Sequence, residues 1–159
     1  MNAENDALLR ELLTGQRVLA LGVLVEGEPY VGLLPFALKP DFSCAVVHAS
    51  KLARHTAGLV TGAQFAALIH QTDRGDADPL QVARVTLQGT VRQLERGTPA
   101  WEEGRRLYLR RFPTSEQTFS LGDFELYELR LLRGRLVGGF ARAASVSPEM
   151  LARLASPPP

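Results

Sequence analysis

Three apolar, β-rich runs stand in succession near the start of this sequence, Val18–Val25, Tyr30–Leu38 and Phe42–Ala49. Only Glu26-Gly27-Glu28-Pro29 and Lys39-Pro40-Asp41 separate them, turn chemistry at hairpin length. Links that short leave no room for a crossover helix, so the strands must run antiparallel. The pattern continues at Gln64–Gln71 and at Val82–Val91, where the interior Gly89 marks a bend or bulge. Phe124–Leu132 and Leu136–Phe140 read as a further hairpin across Arg133-Gly134. Short helices surround the strands. Leu8, Leu9, Leu12 and Leu13 have helical spacing ahead of Gly15, Thr98-Pro99 opens a helix that ends before Pro113, and Ser147-Pro148 opens another. These signals predict a mainly β (α+β) fold in one domain over residues 1–159. It is a six-stranded antiparallel barrel with peripheral short helices, an open α+β sheet being the alternative. An N-terminal helix falls within 1–15, and a C-terminal helix and tail within 147–159.

At 159 residues, 45% apolar and 22% charged, the composition is that of an ordinary globular protein with a substantial core. A net charge of +1 gives no basic field for nucleic acid. No segment has the length and apolarity of a membrane span, and the start lacks the pattern of a secretion signal, so the expected setting is cytoplasmic. Cys44 is the sole cysteine, which excludes an intrachain disulfide and a cysteine-based metal site.

The richest stretch chemically begins at Ser50-Lys51, where a helical pattern over Ser50–Leu59 follows the third strand. A hydroxyl and an ammonium at a helix start form a small anion receptor beside the apolar wall of the strands. His55 lies one turn further on and can face the same anion. Arg84 sits within an apolar strand. It faces either solvent or inward, where it needs Asp78 or an anionic ligand as partner. His48 and His70 read as hydrogen-bonded structural histidines. No histidine pair has metal-ligand spacing, no hydrolase or P-loop motif occurs, and no residue is assigned a catalytic role.

The ordered motifs G-x-P-Y (27–30), L-P-F-A (34–37), H-x-S-K-L-A-R-H-T (48–56), D-P-L (78–80), A-R-V-T-L-Q-G (83–89), R-x-Y-L-x-R-F-P (106–113), D-F-x-L-Y (123–127) and G-G-F (138–140) carry a resemblance. The chain resembles the pyridoxamine 5′-phosphate oxidase-like flavin proteins, and most of all their branch of haem-utilisation proteins. The resemblance spans about residues 17–143. It implies a split β-barrel homodimer with FMN at the subunit interface and a small-molecule substrate that the sequence does not specify. By position, Ser50 and Lys51 match the family's phosphate contacts, and Leu33, Leu34, Pro35 and Phe36 match the strand lining the flavin ring. Arg84 falls where a polar residue approaches the ring, and Arg111, Phe112 and Pro113 fall in a segment reaching it from the partner subunit. Gly32 and Leu52 depart from the polar or basic residues of the oxidases, and the tryptophan- and arginine-bearing block of the pyridoxamine site has no counterpart. No histidine follows His70, whereas the haem-degrading relatives ligate haem through a histidine in a C-terminal extension. The expectation is an FMN-dependent oxidoreductase; the alternative is a flavin- or haem-binding module without catalysis.

Overall fold

The computed structural model describes residues 2–156; Met1 and the expected tail beyond Ser156 lie outside them. In chain order it contains α1 (Ala3–Gly15), β1 (Val18–Val25), β2 (Glu28–Pro35), β3 (Ala37–Leu38), β4 (Cys44–Ser50), β5 (Gln64–His70) and β6 (Arg84–Leu94). There follow α2 (Pro99–Arg111), α3 (Glu116–Phe119), β7 (Phe124–Val137), β8 (Ala143–Val146) and α4 (Pro148–Ala155). All strands pair antiparallel in the order β2-β1-β5-β6-β7-β4-β3, with β8 added to β7. The sheet curls into a split barrel of eight strands rather than the six expected. The two extra strands are short: β3 begins after Phe36, whose N–H makes the last bond on the β1 side, to Arg17 O, so that Ala37 and Leu38 pair with β4 instead, and β8 spans four residues. The sheet's two ends, β2 and β3, are thus joined through Phe36 without a ladder between them, which is the split.

Alternation decides which side chains fill the interior. Leu19, Leu21 and Val23 of β1, Phe65, Ala67 and Ile69 of β5, Val85, Leu87 and Val91 of β6, and Tyr127 and Leu129 of β7 form one buried cluster. Leu9, Leu12 and Leu13 of α1, with Leu151 and Leu154 of α4, belong to the same cluster and are fully or nearly fully buried. Each such leucine contributes about 1.5–3 kcal/mol by leaving water. Arg153 of α4 holds both Asp6 oxygens of α1, at 2.8 and 3.1 Å. The two helix starts read from the sequence form caps, Thr98 accepting from Trp101 N and Ser147 from Met150 N, and Asn2 caps α1 by accepting from Asn5 N.

β7 is one continuous strand, not a hairpin at Arg133-Gly134. Gly134 pairs with Leu87 inside the ladder, and a Cβ there would lie 2.6 Å from Thr86 O, so this glycine serves close strand approach. The real turn follows Val137, where Gly139 (φ 114°) and Ala141 (φ 58°) reverse the chain into β8. Gly89 behaves as expected: the β6–β7 register slips there, Gln88 facing Arg133 and Gly89 facing Leu131.

A second cluster lies outside the barrel, between α2 and the outer face of β3, β4, β6 and β7. Trp101, Tyr108, Phe112 and Phe119 pack there on Ala37, Val46, Leu94 and Leu126. His48 joins it, stacked on Phe119 with ring centroids 3.9 Å apart. Thr118 Oγ1 donates to Ser115 O (2.7 Å), so toward His48 Nδ1 (3.2 Å) it accepts, and Nδ1 carries the proton. Burial, with a smaller push from Arg96, lowers the His48 pKa from 6.5 to about 4. Because the folded value lies below the unfolded one, the unfolded chain takes up the proton first as pH falls. The neutral ring therefore supports the fold above about pH 6.5, and that support is lost toward pH 4, on the order of 3 kcal/mol. Urea unfolding between pH 7 and pH 4 should show a flatter loss of stability for His48→Phe than for the wild type; parallel slopes would contradict this assignment.

Candidate functional site

The expected anion seat is built differently from its sequence pattern. No α-helix starts at Ser50. The chain turns through Lys51 and Leu52 into a 3-10 segment, Arg54–Gly58. Local side-chain bonds compete with the helix: Leu52 N–H donates to Ser50 Oγ (3.1 Å), and Thr56 Oγ1 donates to Ser50 O (2.6 Å). The dipole and free N–H groups of a helix start are therefore missing from the seat.

Two carboxylates occupy the position instead. Ser50 Oγ donates to Asp123 Oδ2 at 2.9 Å, and Lys51 Nζ lies 3.2 Å from Glu125 Oε1. Arg96 Nε stands 3.8 Å from the other Glu125 oxygen. Lys51, Arg96, Asp123 and Glu125 sum to zero charge, so an incoming phosphate dianion meets two carboxylates before any uncompensated cation. Sequence reasoning passed over Asp123 and Glu125 because only the β4–β7 ladder, pairing Ser50 with Phe124, brings them here.

His55 packs on Gly32. A Cβ at residue 32 would sit 2.7 Å from His55 Cγ and closer still to Nδ1, so the ring fills the space a larger residue 32 would occupy. Its Nε2 is buried without a partner, and burial pushes its pKa down. Within β2, Leu34 faces the core and Leu33 faces out. Pro35 is half-buried, and Phe36 is fully enclosed under the Arg111 guanidinium, 4.9 Å from the ring centroid. Arg111 also donates to Thr14 O and Gln16 O, so within this chain it ties α2 to the end of α1.

Arg84 lies on the outer face, since its neighbours Ala83 and Val85 are buried. It donates to Leu80 O (3.0 Å) and Val82 O (2.9 Å) rather than pairing with Asp78. Along β7, Ser50 is registered at Phe124 and Arg84 at Val137. That is about 40 Å of strand contour, so one chain does not bring Arg84 to the Ser50–Lys51 turn.

The outer face of β2, β1, β5 and β6 carries a different pattern. One cross-strand row reads Leu33, Ala20, Leu68, Thr86, Arg135; the next reads Val31, Gly22, Ala66, Gln88, Arg133. Directly paired residues share a face, so these rows make a flat surface, apolar on its β2–β1–β5 half and basic on its β6–β7 half. Leu33 and Val31 are each 67% exposed and Leu24 61%, too much contiguous apolar surface for scattered surface residues. His70 and Arg84, paired in the β5–β6 ladder, border it at one end.

Solved structures share this architecture. A haem-binding protein from Mycobacterium smegmatis matches with a TM-score of 0.81 and 25% identity, over 96% of this chain and 62% of that one. The haem storage protein HutZ from Vibrio cholerae matches with a TM-score of 0.67 and 25% identity, over 77% and 87%. A protein related to general stress protein 26, of the pyridoxinephosphate oxidase family, from Clostridium acetobutylicum matches with a TM-score of 0.68 and 14% identity, over 95% and 99%. No protein-family profile matches the sequence, and no curated protein does. The chain has the split-barrel fold that these structures share, the fold expected from its resemblance to the pyridoxamine 5′-phosphate oxidase-like proteins. The matched structures include haem-binding and haem storage proteins and an FAD-binding protein from Mesorhizobium loti, and the chain spans about three-fifths of the Mycobacterium protein's length. Among the described residues, no helix is long and apolar enough to cross a membrane.

Proposed function

We propose that this chain is a homodimeric, non-catalytic module that binds a planar tetrapyrrole of the haem type between its subunits. The observation that carries the reading is the outer face of β2, β1, β5 and β6. A flat apolar field next to Arg133 and Arg135 complements a flat macrocycle with carboxylates on one edge. The solved haem-binding protein and haem storage protein, each 25% identical, support it. A second copy of the chain covers the remaining apolar area, which exposed leucines and valines in sheet rows favour.

The residues present fit FMN less well. Its phosphate would have to displace Asp123 from Ser50 and Glu125 from Lys51, and Gly32 offers no side chain to help. The FMN-dependent oxidoreductase remains the second reading because Lys51 keeps 57% of its side chain exposed at the turn. If flavin binds, it would supply the hydride chemistry, and Ser50 and Lys51 would be this chain's contacts to its phosphate.

Leu33→Glu tests the face directly. Burying a carboxylate against an apolar macrocycle and an apolar partner costs several kcal/mol. The variant should bind haemin at least about tenfold more weakly and sediment as a monomer, while its circular dichroism stays that of the wild type because Leu33 lies outside the core of its own chain. Unchanged haemin affinity would remove the face from the site.

A further inference from the structure

We infer that His70 is the side chain that ligates the iron of the bound macrocycle; the inference rests on the tetrapyrrole reading above. The chain has three histidines, and the structure separates them. His48 is stacked beneath Phe119, and His55 Nε2 is buried against Gly32. His70 is exposed at the end of β5. Alternation along β5 sends Phe65, Ala67 and Ile69 into the core, so His70 shares the outer face with Ala66 and Leu68.

The ring is prepared for a metal. His70 Nδ1 lies 2.6 Å from Gln71 O. A carbonyl oxygen only accepts, so Nδ1 holds the proton, and Nε2 of the neutral ring keeps its lone pair for a ligand. A backbone carbonyl on the second nitrogen is how metal-binding imidazoles are commonly fixed in tautomer and orientation. Among the described residues no three His, Cys, Asp or Glu groups converge to hold a bare ion, and the sole cysteine, Cys44, is buried. A metal bound here therefore arrives already chelated, with one axial position for the protein. Arg84, beside His70 in the ladder, adds a cation at the same edge, tied back to Leu80 O and Val82 O.

The test uses the intact protein with haemin and, separately, metal-free protoporphyrin IX. His70→Ala should bind protoporphyrin like the wild type. With haemin it should lose the wild-type Soret position and bind at least about tenfold more weakly, and added imidazole should restore the wild-type spectrum. A Soret band and haemin affinity equal to the wild type would overturn the ligand assignment while leaving the tetrapyrrole reading intact. Failure of both haemin and protoporphyrin to bind the wild type would overturn both.

Discussion

Gly89→Ala is expected to lower stability by about 4 kcal/mol or more, enough to leave much of the chain unfolded at 37 °C. A Cβ at residue 89 would stand 2.8 Å from the Arg130 carbonyl carbon and inside contact distance of its oxygen, with Phe65 Cε1 at 3.2 Å. The obstacle is the backbone of β7, held by ladders on both sides, so no rotamer change relieves it. The register slip between Gln88 and Gly89, which leaves Leu132 of β7 without a partner, lies beside this close approach. Gly122→Ala is the matched control, since a Cβ there meets nothing within 4 Å. Thermal unfolding should show a fall of roughly 10 °C or more for Gly89→Ala and almost none for Gly122→Ala. Equal melting temperatures would mean that the β6–β7 approach is not rigid.

Lys39→Met is expected to cost about 3 kcal/mol. Glu128 is 4% exposed on the outer face of β7, and its main partner is Lys39 Nζ at 2.6 Å. Burial disfavours the Lys39 charge, but the hydrogen bond and charge of Glu128 outweigh that and raise its pKa above the ordinary value. Without the ammonium, a buried carboxylate keeps only Arg92 at 3.6 Å, a mostly exposed side chain. Removing one partner of a buried pair costs far more than removing both, because the remaining charge stays desolvated. Lys39→Met combined with Glu128→Met should therefore recover most of the loss in urea unfolding. A double variant no more stable than Lys39→Met would show that the pair is not coupled.

The strands were legible because alternation and turn residues mark them locally: β1, β4, β5 and β6 lie where the pattern places them, and the β6–β7 register slips at Gly89. Two elements misled for the same reason, that local spacing does not reveal distant partners. Arg133-Gly134 resembles a turn, but the glycine answers to Thr86 O across the ladder. Ser50–Leu59 has helical spacing, but Ser50 Oγ and Thr56 Oγ1 take up the backbone groups a helix would use, and Gly58 lies close against Val23. The site was the least legible part. Asp123 and Glu125 are more than seventy positions from Ser50 and Lys51, and only pairing of β4 with β7 makes them neighbours. The amphipathic face arises from five strands side by side. Single runs show its leucines and arginines, not their common plane.

On the proposed reading the outer sheet face, rather than the Ser50–Lys51 turn, holds the ligand, and a tetrapyrrole suits it better than FMN. Parallel equilibrium titrations of the purified wild-type protein with haemin and with FMN, followed by absorbance and flavin fluorescence, test it most directly. The expected result is haemin binding at least about a hundredfold tighter than FMN, a difference of roughly 2.7 kcal/mol. FMN binding as tight as haemin, lost in Lys51→Ala and kept in Leu33→Glu, would contradict it.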